Sequence, residues 1–438
     1  MSRGRRHFLA TVGIGITGLA GCATGPEDEA SSPSDGSTLA TGSPVPPPSQ
    51  GPFGFTHLRP DGNRVLDSTG SLPAQPVTHD LEIEPNWLVG LPAASGSTWV
   101  AVAADGTTVG LRVVDGTVER IEPSPADLPP GAPPILFHDE QQPRLLTPPV
   151  EGASQLTHPF PLGDGRSLVV GSDGDVLLWD GELVDRLSAS VLPDARFVRI
   201  SAGTYAVLAG ATDQYGHGAL GDDIEAGALL LLEVEESLSQ RARIGFGGAV
   251  AEGLEPIAAG FQGASEPRLL LTLTDQTDGA RLAAFDLDGQ RVATGPSVGT
   301  GFRWRHQLCL APFGPDREPE IAAVKTPHIG GSVEFYRRRG DELEVVAEAG
   351  EYASHTFGSR NLDGGLAADL EGDGSVELLV PTQSRDTLRA LRRTTNGLET
   401  AFDLRVPPQL STNLAGLDTG AGIVIGAGTT DGTVRFWS

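Results

Sequence analysis

The chain has 438 residues, with 57 acidic side chains against 31 Lys plus Arg and a formal charge of −26 at pH 7. Such a surface repels nucleic-acid phosphates, which excludes nucleic acid as a partner, and suits cations, basic partners or a salty medium. Two cysteines, Cys22 and Cys309, are too few for a disulfide framework or a haem-attachment motif.

Residues 1–22 read MSRGRRHFLATVGIGITGLAGC. Arg5 and Arg6 precede a short apolar stretch, roughly Phe8 to Leu19, that fits a signal-peptide core better than a membrane span. The paired arginines resemble the twin-arginine export motif, and Leu19-Ala20-Gly21-Cys22 resembles a lipobox. The resemblance implies export, lipidation of Cys22 and a membrane-held protein that is periplasmic or cell-surface. The alternatives are a plain anchor, or a cleaved signal with a free Cys22. Residues 23–52 are rich in Ser, Pro, Gly, Asp and Thr and read as a disordered tether.

From about residue 53 to 438 the chain reads as one all-β domain. Seven stretches repeat at intervals of about 50 residues, each an apolar strand, a Gly/Asp turn and a second strand. The second strands close near Val113, Trp179, Leu232, Phe285, Tyr336, Leu391 and Trp437. The expected architecture is a β-propeller of seven blades, with an eighth possible near Arg144–Arg166. Trp179, Phe285, Tyr336 and Trp437 are expected at equivalent, largely buried places. The last repeat supplies only about three strands, so a strand from Phe53 to Leu91 is expected to complete it. Cys309, in the run HQLCLAP, is expected to fill the core as an apolar group.

A turn motif precedes several strand pairs: FHDEQQPRLL, FQGASEPRLL, FGPDREPEIA and LEGDGSVELL. The fullest acidic set is in the last copy. Asp369, Glu371, Asp373 and Glu377 stand at positions one, three, five and nine of a loop, Gly374 at position six and Ser375 at seven. These are hard oxygen donors of the kind that hold Ca²⁺. Position twelve is Val380, so the bidentate glutamate of a helix-flanked calcium loop is missing. DLEGDGSVELLVP resembles the DxDGDGxxD/E loop of FG-GAP and VCBS-type repeats, which build calcium-binding propellers. The resemblance implies Ca²⁺ held by Asp369, Glu371, Asp373, Ser375 and Glu377; the alternative is an acidic turn closed by Asx hydrogen bonds. No basic residue is near in sequence; Arg360 and Arg385 are the nearest expected.

Candidate binding residues cluster in two stretches. Tyr215 and His217 lie in DQYGHGALGDD; His306, His328, His355, Arg360 and Asn361 lie between Arg303 and Asn361. No zinc signature, GxSxG elbow or phosphate-binding glycine loop is present. Two readings follow. One is a monomeric, non-catalytic protein that binds a protein, glycan or small ligand at the envelope. The other is an envelope hydrolase or lyase using His306, His355 and Arg360 at a channel mouth, which requires the three to converge in an open pocket.

Overall fold

The computed structural model describes Phe53, Gly54 and residues 59–72, 75–122, 124–139, 142–147, 150–261 and 266–438. The expected export signal, Cys22, the expected 23–52 tether and parts of the FHDEQQPRLL and FQGASEPRLL turns lie outside them. No helix forms among the described residues. β1 is Val65–Thr69 and β2 is Val77–Asp80.

After β2 the strands fall into antiparallel groups. The first sheet covers residues 85–120, the second 160–188, the third 198–245, the fourth 257–294, the fifth 305–352 and the sixth 366–405. The seventh has three strands of its own, Ala415–Asp418, Ile423–Gly428 and Thr433–Trp437, and takes β2 as the fourth. β2 pairs antiparallel with Thr433–Trp437, Val77 opposite Phe436 and Asp80 opposite Thr433. The expected closing strand is therefore real, and the fold is a β-propeller. Between the first and second sheets lies a two-stranded hairpin, Leu136–Asp139 with Gln142–Leu145. It carries the FHDEQQPRLL motif, which elsewhere joins the first two strands of a sheet.

Asp-Gly turns mark the repeat in the first, second and seventh sheets. Asp105, Asp173 and Asp431 each accept a hydrogen bond from the main-chain N–H two residues on, at 3.0, 3.2 and 3.1 Å. The glycine between them sits at φ 93°, 86° and 83°, where a Cβ would be strained. Each such turn joins the second strand to the third. All seven closing residues lie in third strands. Phe285, Tyr336 and Trp437 are buried as expected. Trp179 is only half-buried, because it ends its strand beside the exposed turn at Asp180.

Neighbouring sheets share apolar layers. Leu282 and Ala284 pack with Ile321 and Tyr336, Phe335 with Leu378 and Val380, Leu379 with Ile425 and Trp437, and Trp99 with Phe436. Cys309 is fully buried in one such layer, and burial pushes its thiol up to about 12.

The segment before β2 does something the repeat pattern does not announce. Residues 60–72 run along the innermost strands. Arg199 N–H donates to Pro60 O at 2.6 Å, Ala258 N–H to Asp61 O at 2.8 Å and Ala367 N–H to Arg64 O at 2.9 Å. Asn63 exchanges two hydrogen bonds with Leu310, at 2.8 and 2.9 Å, and β1 pairs in parallel with Leu366–Asp369. The third, fourth, fifth and sixth sheets thus all bond to one strip of chain.

Candidate functional site

Strands alternate in direction within each sheet, so two loop sets share one face. These are the loops between second and third strands and the connectors between sheets. Tyr215 and His217 are on the 213–224 loop of the third sheet, and His328 is on the 326–330 loop of the fifth. Phe302 is on the connector into the fifth sheet, and His355, Phe357, Arg360 and Asn361 are on the connector into the sixth.

The structure brings most of these together. The His217 ring stacks on Phe302 at 5.3 Å and lies 5.8 Å from His328, which lies 5.7 Å from His355 and 5.2 Å from Phe357. Tyr215 meets Phe302 edge-on at 5.2 Å. Trp304 is buried beneath, with His306 stacked on it at 5.0 Å and His355 edge-on at 5.0 Å. Phe302, Ile329 and Phe357 are 54%, 64% and 58% exposed. An apolar, imidazole-rich patch results, with exposed Asp222 and Asp223 beside it.

Carboxylates underlie the patch. His217 Nδ1 is 2.6 Å from Glu252 Oε1, and the Thr274 hydroxyl donates to Glu252 Oε2. Glu225 is buried close by; burial, reinforced by Glu252, Asp194, Asp222 and Asp223, pushes its carboxyl up to about 10. Arg360 does not face an open pocket. Its Nε donates to Asp194 at 2.8 Å and its Nη2 to Asp222 at 2.5 Å. Asn361 Nδ2 donates to Asn86 O at 3.0 Å.

His306 and His355 do meet, across Trp304, but both are buried. His306 Nδ1 pairs with Ser354 Oγ at 2.9 Å. Burial first, then Arg64 and His355, hold its pKa well below the usual imidazole value. Burial brings His355 down to about 4, against the Ser359 carbonyl, which favours the proton.

A second polar centre lies where residues 60–72 meet the inner strands, and its members carry no motif. Arg64 donates to Asp363 at 3.0 Å, to Glu255 at 2.8 Å and to Leu308 O at 3.2 Å. Arg196 reaches Asp363 at 3.2 Å and Glu255 at 3.5 Å. All four side chains are buried. Burial works against the Arg196 charge, but Asp363 and Glu255 outweigh it and raise its pKa. His158, also buried, falls to about 4, by burial first and then by Arg196. Sequence reasoning missed these residues because each stands alone in an ordinary stretch. The available signal was charge inside otherwise apolar connectors.

The Asp369 loop is on the opposite face, between the first two strands of the sixth sheet. Asp369 accepts hydrogen bonds from the N–H groups of Asp373 and Gly374 at 3.1 and 3.0 Å, and Asp373 from that of Ser375 at 2.9 Å. Glu377 is buried and accepts from Leu370 N–H at 2.9 Å. Arg392, the cross-strand partner of Glu377, lies 2.7 Å from Glu371, 2.9 Å from Asp373 and 2.7 Å from Glu377. The expectation that no basic group approaches is therefore corrected: register delivers Arg392, neither Arg360 nor Arg385. The donor set suits a cation, and a guanidinium holds that place. Among the described residues no three metal-ligating side chains form a metal-binding group.

No family model matches the sequence, and no curated protein matches it. Similar solved structures include a Dos1 propeller, at 12% identity and TM-score 0.41, covering 85% of this chain and 95% of that one. The WD40 β-propeller domain of Doa1 matches at 12% identity and TM-score 0.36, over 83% and 96% of the two chains. A chain of the mitotic checkpoint complex matches at 11% identity and TM-score 0.41, over 85% and 96%.

Proposed function

We propose that this propeller is an exported, lipid-anchored, non-catalytic binding protein that engages a partner protein through the face bearing Tyr215, His217, Phe302, His328 and Phe357. One observation carries the reading: Phe302, Ile329 and Phe357 are more than half exposed and gathered on loops of one face. Exposed apolar groups concentrated in this way mark interaction surfaces. The chain charge of −26 and the adjacent Asp222 and Asp223 select the partner's chemistry. It presents apolar side chains flanked by Lys or Arg, which the aromatic faces also attract. The hydrolase or lyase reading needs His306, His355 and Arg360 free in an open pocket. Two of them are buried, and the third is held by Asp194 and Asp222, which favours binding.

The test is capture from detergent-solubilised envelopes on the full-length protein, beside a Phe302→Asp/Phe357→Asp variant. The expected result is a protein retained by the parent, lost from the variant and released as salt rises. An unchanged capture profile on the variant overturns the assignment. Glycan binding, or self-association that the variant abolishes, would replace the partner-protein reading.

Calcium at the Asp369 loop belongs to the same proposal in a narrower form. The ion would have to displace Arg392, so calcium stabilisation is expected to be small in the parent and to grow when Arg392 is removed.

A further inference from the structure

We infer that a second site lies on the same face, a small pocket at Arg385 that takes a carboxylate group. A cavity of about 40 Å³ opens between the connector 353–364, the connector 410–412 and the loop after Pro381, with Ser354, His355, Thr356, Asn361, Arg385 and Thr412 among its walls. A cavity of that size admits a small polar group such as a carboxylate head.

Arg385 supplies the charge. In a chain with 57 acidic residues, it has no ion-pair partner among the described residues. Its guanidinium donates to the Thr356 hydroxyl and to Leu410 O at 2.9 Å, which leaves other N–H donors for a ligand. Burial lowers its pKa with no carboxylate to offset the effect. Its backbone is held at φ 56° by hydrogen bonds from Arg385 N–H to Thr382 O, at 2.8 Å, and from Leu410 N–H to Arg385 O, at 2.7 Å. A non-glycine residue stays in that region only where its surroundings over-determine it. An unneutralised arginine is thus pinned in a cavity wall, and a carboxylate is its natural bidentate partner.

His355 gives an independent mark. It is 5% exposed, and its Nε2 lies 2.8 Å from Ser359 O, a carbonyl that can only accept. The proton therefore sits on Nε2, and Nδ1 is left without a partner. A carboxylate brought to Arg385 adds negative charge beside this ring and favours a second proton on it. Opposing that proton are burial and the charges of His328, His217 and Arg385; His306 faces the ring from across Trp304, and the Ser359 carbonyl supports the proton. Binding and proton uptake are thereby coupled, so affinity rises as pH falls.

The experiment is calorimetric titration of the full-length protein in detergent with acetate, acetamide and inorganic phosphate, at about pH 5.5 and pH 7.5. Saturable acetate binding, tighter at the lower pH, with acetamide rejected and phosphate weaker, is expected. Arg385→Gln should weaken acetate by about tenfold or more, the loss of one charge-assisted pair. His355→Gln should keep binding at the higher pH and remove the pH dependence. A short peptide with a free C-terminus and its C-terminal amide separate a chain end from a free acid; binding of the amide overturns the site. So does absence of saturable acetate binding, or full affinity in a folded Arg385→Gln protein; Thr356→Val, which only loosens the guanidinium, provides a milder variant. A Phe302→Asp protein, altered away from the pocket walls, should bind acetate normally, so failure of the partner surface leaves this result readable.

Discussion

Burial beside Glu252, Asp194, Asp222 and Asp223 keeps the Glu225 carboxyl protonated to about pH 10. Unfolded, it ionises near its ordinary value of 4.5. The folded state therefore binds more protons across that window, and stability is lost as pH rises through it. Glu225→Gln should raise the thermal midpoint at about pH 8 and leave it unchanged near pH 4, with about 1 °C for each kcal/mol recovered in a chain this long. His158 and His355 act with the opposite sign. Their folded pKa values are near 4 against an ordinary 6.5, so acid favours the unfolded state, and their contribution is lost as pH falls from 6.5 to 4. His158→Gln should flatten the midpoint-against-pH curve in that window; an unaltered slope would show that His158 takes up its proton without unfolding. At the Asp369 loop, Arg392→Gln leaves Glu371, Asp373 and Glu377 without their shared cation. The midpoint of that variant should drop in chelator and recover in millimolar calcium, by more than the parent responds. Glu371 and Asp373 were legible as a charge cluster. Arg392 was not, because it arrives through cross-strand register, 15 residues from Glu377 in sequence.

Among the elements, the strand that closes the ring is the shortest commitment with the widest effect. Leu81 follows β2, is fully buried, and its N–H donates to Gly432 O at 2.9 Å. It packs with Trp99, Val434 and Phe436, in the layer between the first and seventh sheets. Leu81→Ala should cost about 2–5 kcal/mol. Amide exchange should then speed first in Thr433–Trp437, the strand β2 covers; uniform exchange across all sheets would show that closure is not a local step. The repeat itself was readable in part because the Asp-Gly turns at Asp105, Asp173 and Asp431 announce second-to-third strand junctions by local chemistry. The closing strand was readable because the last repeat was one strand short. β1, VLDST, was not. It pairs in parallel with a strand some 300 residues on, and it carries neither alternation nor an apolar run. The convergence of Tyr215, His217, His328 and His355 was half legible. The residues stood out by type, but the loops they share depend on strand direction, which no single stretch encodes.

At the scale of the molecule, the four buried charges Arg64, Arg196, Glu255 and Asp363 tie the N-terminal strip to three sheets at once. Removing one member leaves its partners charged in the interior, where the penalty exceeds the worth of the pair. Arg64→Ala should therefore destabilise by about 3–5 kcal/mol, more than Arg59→Ala, whose partners are a half-buried Asp61 and an exposed Asp67. Equal effects of the two substitutions in chemical denaturation would show that the central charges are solvated.

The same strip sets an order of events during synthesis. Residues 60–80 leave the ribosome early, yet their partners are at 196–199, 255–258, 308–310, 363–369 and finally 433–436. A chain halted before Thr433–Trp437 keeps β2 unpaired and the edge of Ile423–Gly428 bare, an adhesive state. Contacts this distant in sequence also slow the search for the native form. Formation of Thr433–Trp437 thus acts as a checkpoint: until that strand is in place, neither β2 nor Ile423–Gly428 has its partner.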